Sequence, residues 1–545
     1  MNWISETDFI DELHHNATTQ DLIKGRILMD HLPDVSEETQ RKVLIELDYF
    51  DHTFAAPLLG YLLCGALEGV NLSTDEIQMV LAEKVREIPD LILNLVGDVA
   101  LVNKLKLVEL ANLVAVGDLL PSVLAGVETT SVTDQVLPLL AMIKHMASPQ
   151  TVNVLAEYLY SGDRALIIEA IDALANIGNF EAVDALAERL GSDRELDTLI
   201  FDRFSQIKTE HALEKLTEAL GASDAYGRNH AKALLTQVGR LAVPALIEKL
   251  ACDDSDVLIH TLNVLGLIGN TSAIRPIRNL LHNEPPDPNV RFAAYEALGL
   301  MPVEKGAYVL AAGLTDLDGM VRVAAAKAIE KNLDKTLLLG LKNLTKSEDE
   351  DTARVVAALV DGPADDVLLH LIDEPNFFNM VVKYLSDGAH PDTLVHIKLL
   401  LQRNGRSEQA NRLEQFGEFD NRETGLLIYA VDDSRMILRL YKKALFELGY
   451  EVVPFEFPKT VCEKVQQNKP DLVFTDLNMP EMTGIELTSQ IRKLYGVDEL
   501  PVVMVTTQSE GTDLQEAKKA GISKIIHKPF DAEKLQQVIE QFTRS

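Results

Sequence analysis

Between residues 87 and 314 one pattern returns at eight starts: an apolar residue one, four and eight positions further on. The starts are Glu87, Leu119, Thr151, Ala182, Ala212, Ala242, Ala273 and Gly306, separated by 32, 32, 31, 30, 30, 31 and 33 residues. Intervals so nearly constant are the mark of a repeat array, in which each unit buries its apolar face against the next rather than around one shared core.

Each unit reads as two amphipathic helices. Steps of three and four place Val183, Leu186 and Leu190, or Val243, Leu246 and Leu250, on one helical face. Gly178, Gly239 and Gly269 follow the other helix at its C-cap, where a left-handed residue is needed. Asp163, Asp254, Asp287 and Asp318 stand where a carboxylate can accept the orphan amide donors of a helix start. Pro89, Pro121 and Pro244 fall two residues after a marked start, where a first turn tolerates proline. With its Asp-x-x-Val-Arg stretches at Asp287–Arg291 and Asp318–Arg322, the block resembles HEAT repeats of the short, PBS-lyase-like sort. About ten helix pairs are expected between residues 40 and 400, stacked as an all-α solenoid that offers an extended surface to a protein partner.

The core must be chiefly aliphatic, since aromatics make up 6% of the 545 residues and there is one Trp. A formal net charge of −33 argues against nucleic acid or an anionic membrane as partner. Cys64, Cys252 and Cys462 match no metal spacing and read as reduced thiols. The first residues lack a basic, apolar leader. The longest uncharged runs, such as 54–67, fall short of the ~20 residues of a spanning helix, so a cytoplasmic location is expected. DLIKG at Asp21–Gly25 carries aspartate where a phosphotransfer histidine would stand, and reads as a helix end. His145, His211, His230, His260 and His282 are scattered over different units and suggest no metal site.

Past the polar run GEFDNRETG the pattern changes to alternating strands and helices. Apolar strands are expected at 426–431, 451–455, 471–476, 502–506 and 524–527, with crossover helices that make the sheet parallel and doubly wound. Four of them deliver chemistry to their ends: Asp432–Asp433, Asp476 before an Asn-Met-Pro turn, Thr506–Thr507, and Lys528–Pro529. Ligand sites in open α/β sheets form at that edge. Three crowded carboxylates repel one another unless a hard cation joins them, and oxygen donors with water suit Mg²⁺.

These signatures resemble the receiver domain of two-component response regulators. The resemblance implies a flavodoxin-like sheet of order 2-1-3-4-5, with Asp476 as phosphoryl acceptor. It implies Mg²⁺ held by Asp433, Asp476 and the Asn478 backbone carbonyl, with Asp432 acting through water. Thr506 and Lys528 would contact the phosphoryl group, and a cis peptide commonly precedes the position of Pro529. Ile525 occupies a switch position that is aromatic in many members, so the usual Thr–aromatic coupling is not available. Asn478 and Gln508 stand where the family tunes dephosphorylation.

The organisation expected is therefore a HEAT-repeat solenoid over 1–415, a linker over 416–424 and a receiver over 425–545. The function expected is that of a non-enzymatic response regulator: a histidine kinase phosphorylates Asp476, and the repeats signal by binding a protein. A phosphate sink or phosphotransfer intermediate is the first alternative, and a bilin- or cofactor-handling array under receiver control the second.

Overall fold

The computed structural model describes residues 6–65, 69–222, 225–303, 308–362, 364–387, 389–413, 426–479, 481–506 and 512–543. The 416–424 linker and Gln508 lie outside them. The chain forms two compact units, residues 1–212 and 213–545. No described helix is long and apolar enough to cross a membrane.

The first unit is entirely helical among its described residues. The Arg164–Ile177 helix shows how its repeats are made. Asp163 caps it by accepting from the Ala165 amide at 2.9 Å, and Gly178 ends it at φ +60°. Leu166, Ile167, Ala170, Ile171 and Leu174 are buried on one face. Hydrogen bonds tie neighbouring repeats at the same interval as the sequence pattern. Asn176 donates to the Lys144 carbonyl at 2.8 Å, and Arg189 donates to the Leu159 carbonyl at 2.8 Å. Asp21 caps the Leu22–Asp30 helix, as a helix-end reading requires. Two expectations are corrected: Pro89 lies in the turn ahead of the Leu91–Gly97 helix, and Pro121 lies inside the Val116–Thr129 helix rather than in its first turn. That helix begins three residues before Leu119, so the marked start sits a turn into it.

The second unit continues the pattern. Asp254, Asp287 and Asp318 cap the helices Ser255–Ile268, Pro288–Gly299 and Gly319–Lys331. The arginines of the Asp-x-x-Val-Arg stretches turn back onto the preceding loop. Arg291 bonds the Pro285 and Pro286 carbonyls and forks onto Asp316 at 2.8 and 3.0 Å. Arg322 bonds the Asp316 and Leu317 carbonyls at 2.7 and 2.9 Å. The motif thus satisfies loop carbonyls that packing would otherwise strand. Gly266 permits a close helix crossing, since a Cβ there would come within 2.9 Å of the Ala297 Cα.

The sheet follows. Parallel strands β1 (Leu427–Val431), β2 (Glu451–Phe455), β3 (Leu472–Asp476), β4 (Val502–Thr506) and β5 (Lys524–His527) lie in the order 2-1-3-4-5. Alternation along each strand divides the core in two. Ile428, Ala430, Phe474, Val503 and Val505 pack on Tyr441, Leu445, Leu535 and Ile539. Tyr429, Val431, Val473 and Val502 pack on Val461, Val465, Leu487 and Ile491.

Within this unit the sheet domain is seated against the repeats. Met320 is buried in the first of those cores, with Phe292 packed beside it. Ala225 is buried with Leu477, Met504 and Ala517. Asn289 donates to the Lys528 carbonyl at 3.1 Å. Further along, Lys443 reaches Asp361 and Tyr384, Lys442 reaches Asp392, and His390 lies against Phe446 with ring centres 4.4 Å apart.

Candidate functional site

β1 and β3 are adjacent and parallel, so Asp432 and Asp476 emerge side by side at their carboxyl ends. Asp432 is 1% exposed and Asp476 8%. The strand after β4 returns Lys528 to the same edge, held there as its amide donates to the Thr506 carbonyl at 2.8 Å. Its ammonium donates to Asp432 Oδ2 and Asp476 Oδ1, both at 2.7 Å. Burial alone would pull this lysine down, but the two carboxylates outweigh it and hold its pKa well above the ordinary value. The remaining carboxylate oxygens accept backbone amides: Asp432 Oδ1 from Ser434 at 2.9 Å, and Asp476 Oδ2 from Asn478 at 2.8 Å.

Backbone geometry behind Asp476 leaves no slack. A Cβ at Gly484 would fall 2.1 Å from the Asp476 carbonyl oxygen, so only glycine can begin the Gly484–Arg492 helix here. Thr483 caps that helix in a reciprocal pair with Glu486. The Lys528–Pro529 peptide is cis.

The acids carry more negative charge than Lys528 relieves. Burial first, and then repulsion from Asp476 and Asp433, pushes Asp432 up to about 7. Desolvation within the cleft and repulsion from Asp476 push Asp433, which still reaches the surface, up to about 6. Such a site fits a hard divalent cation. Among the described residues no three acid, histidine or cysteine side chains converge into a cage of their own. A metal here would complete its shell with carbonyl and water oxygens, which is how Mg²⁺ is commonly held.

The structure therefore brings Asp432, Asp433, Asp476, Asn478, Thr506 and Lys528 to one edge. Thr506 is buried at the end of β4. Ile525, in register with Met504 on β4, packs against the cluster of Leu477, Met504 and Ala225.

Four residues of the neighbourhood carried no notice in the sequence. Tyr441 is 1% exposed, stacked between Phe474 and Phe530, and burial raises its hydroxyl pKa well above the usual value. Arg228, 2% exposed, reaches from the Ala225–Val238 helix to Asn478 Oδ1 at 3.4 Å. Lys232, one turn later on that face, is pulled down to about 8 by burial, against the opposing attraction of Asp433 and Asp476. Asn289 bonds the backbone of Lys528 itself. The available signal was Arg228: it takes a buried place in a stripe with Ala231 and Leu235, where an apolar residue is the rule.

Residues 428–540 match the family model described as response regulator receiver domain, and residues 243–330 the one described as HEAT repeats. Chemotaxis protein CheY1 of Helicobacter pylori is 36% identical over 115 residues, 21% of this chain and 93% of its own length. Chemotaxis protein CheY of Pseudomonas aeruginosa is 34% identical over 115 residues, again 21% of this chain and 93% of the relative. The high-resolution structure of chemotaxis response regulator CheY4 of Vibrio cholerae is 31% identical, covering 22% of this chain and 98% of that one, with a TM-score of 0.21.

Proposed function

The chain belongs to the response regulator receiver family through its C-terminal domain, with HEAT repeats ahead of it, and on that premise we propose that it is a response regulator phosphorylated on Asp476. The observation that carries the reading is the Lys528 ammonium shared between Asp432 and Asp476 at a strand-end edge. A histidine kinase is the expected donor. A carboxylate oxygen of Asp476 attacks the phosphorus of a phosphoimidazole. The P–N bond breaks, its electron pair returns to the ring nitrogen, and the imidazole leaves as it takes up a proton.

Each side chain has a part in that transfer. Lys528 neutralises charge on the incoming oxygens, and the Thr506 hydroxyl donates to one of them. The Asn478 amide, bonded to Asp476 Oδ2, orients the carboxylate so that its other oxygen faces the donor. Asp433, Asp476 and the Asn478 carbonyl would hold Mg²⁺, with Asp432 behind a water; when bound, the ion supplies positive charge to the transferring group. Asn478 and Gln508 are assigned to tuning the phosphoryl lifetime. Ile525, packed into the wall, carries no aromatic switch, so the output passes by another route.

That route is the repeats. The receiver's site edge abuts the array at Asn289 and Arg228, which supports a signal read first by the chain's own HEAT repeats and then by a protein partner in the cytoplasm. The test is phosphate incorporation from a small phosphodonor with Mg²⁺, by intact mass. Wild type should gain one phosphoryl group and Asp476→Asn none. Labelling that persists in the variant, or none in wild type, rejects the assignment.

A further inference from the structure

We infer that Arg228 and Lys232 of the HEAT array form the second half of the receiver's phosphoryl-binding site, so that the repeats hold the phosphorylated receiver more tightly than the bare one. This rests on the receiver reading above and names who detects the modification. Ala225, Arg228 and Lys232 share one helical face, at intervals of three and four residues. Ala225 anchors that face in the receiver core with Leu477 and Met504. Arg228 touches Asn478, two residues from the acceptor. Its other guanidinium nitrogen donates to the Ala222 carbonyl at 2.7 Å, which fixes the fork in place.

Charge says what the pair is for. The edge holds three carboxylates, Asp432, Asp433 and Asp476, against the single ammonium of Lys528 within the receiver. Arg228 and Lys232 add two cations from outside it. On the array side, Glu296 faces Asp433 and is met by Lys327 at 3.2 Å one repeat later, while Asp256 of the Ser255–Ile268 helix lies within electrostatic reach of Arg228. Beside bare acids the pair does the job of counter-ion. Beside a lone divalent cation it is repulsive, because like charges share a poorly solvated cleft. A phosphoryl group brings close to two negative charges and three acceptor oxygens, which suit an arginine fork and an ammonium. The array therefore disfavours metal alone and favours metal with phosphoryl. By linkage, whatever prefers the docked arrangement strengthens docking by the same factor.

The experiment uses the full-length chain, with beryllium fluoride and Mg²⁺ as a stable phosphoryl mimic. Titration calorimetry measures Mg²⁺ alone and then the mimic, and hydrogen exchange follows residues 225–238. Lys232→Gln should weaken mimic binding about tenfold while tightening Mg²⁺ alone about threefold. Lys232→Arg should stay within about twofold of wild type for both. In wild type the mimic should raise protection over 225–238, and Lys232→Gln should lose that gain. Arg228→Gln, at a buried position, is compared only where its circular dichroism equals wild type; half-buried Lys232 carries the decision.

If Lys232→Gln leaves both affinities unchanged while Asp476→Asn abolishes mimic binding, the receiver stands and this inference falls. Tighter mimic binding by Lys232→Gln also overturns it, because the array would then only obstruct the site. Failure of wild type to bind the mimic removes both readings together.

Discussion

Two stretches of the array carry cations on the same kind of helix and use them differently. Around residues 144–203, Lys144 meets Glu169 at 2.7 Å, and Arg203 meets Asp172 at 2.8 Å. Each cation is answered by an acid one repeat away, so the bridges are internal stitching. Around residues 228–232, Arg228 and Lys232 face the acidic edge of the receiver as well, with Asp256 of the array also near Arg228. A repeat supplies an address for a side chain; what stands opposite decides whether the charge is structural or functional.

The comparison breaks most completely at Asp476. Asp476→Asn should abolish phosphate uptake and remove the charge that Lys232 faces, leaving bridges at Lys144 and Arg203 untouched; intact mass and hydrogen exchange over both stretches check this. Next in size is Gly484→Ala. Its Cβ cannot fit 2.1 Å from the Asp476 carbonyl, so the receiver should lose about 3 kcal/mol and its phosphorylation together, read by thermal unfolding and phosphodonor labelling. Unchanged melting would contradict so close an approach of the Gly484 backbone to the Asp476 carbonyl.

Met320→Ala deletes a repeat side chain that is 7% exposed within the receiver core. About 2 kcal/mol of docking should go, detectable as faster exchange of the Arg435–Glu447 and Ala532–Thr543 helices, with no change in residues 133–207.

Asp256 sharpens the contrast by pH. Burial first, then Asp254 and Asp287, raise its folded pKa to about 6 despite Arg228. An acid whose folded pKa is raised contributes no penalty below its unfolded value near 4; the cost grows as pH climbs from there through about 6 and is complete above it. Asp256→Asn should therefore stabilise the protein by about 1 kcal/mol at pH 7.5 and by nothing at pH 4, after allowing for solvent screening. Equal shifts at both pH values would sink the assignment. Smallest of all is Arg203→Gln, which should cost less than ~1 kcal/mol and leave mimic binding as in wild type. A loss of mimic affinity there would erase the distinction between the two stretches.

Much of this was legible in the chain because it is written locally. N-caps at Asp163, Asp254, Asp287 and Asp318 follow from short-range amide satisfaction, and all four are capping residues in the structure. Pro121 was misjudged by a turn, since apolar periodicity marks a face and not where a helix starts. The five strands were readable as apolar runs ended by acids or turns. Strand order then followed from the family resemblance, and with it the meeting of Asp432, Asp476 and Lys528.

Sequence alone determined the repeat register, the two kinds of architecture and the acidic strand-end edge, because each depends on spacing within a few tens of residues. Only the tertiary structure decided what lies over that edge. Arg228 and Asn478 are 250 positions apart, Asn289 and Lys528 239. No local preference connects such pairs. They meet because a receiver core accepts Met320 and Ala225 as its own, and burying those apolar groups sets which face of which repeat the acids must confront.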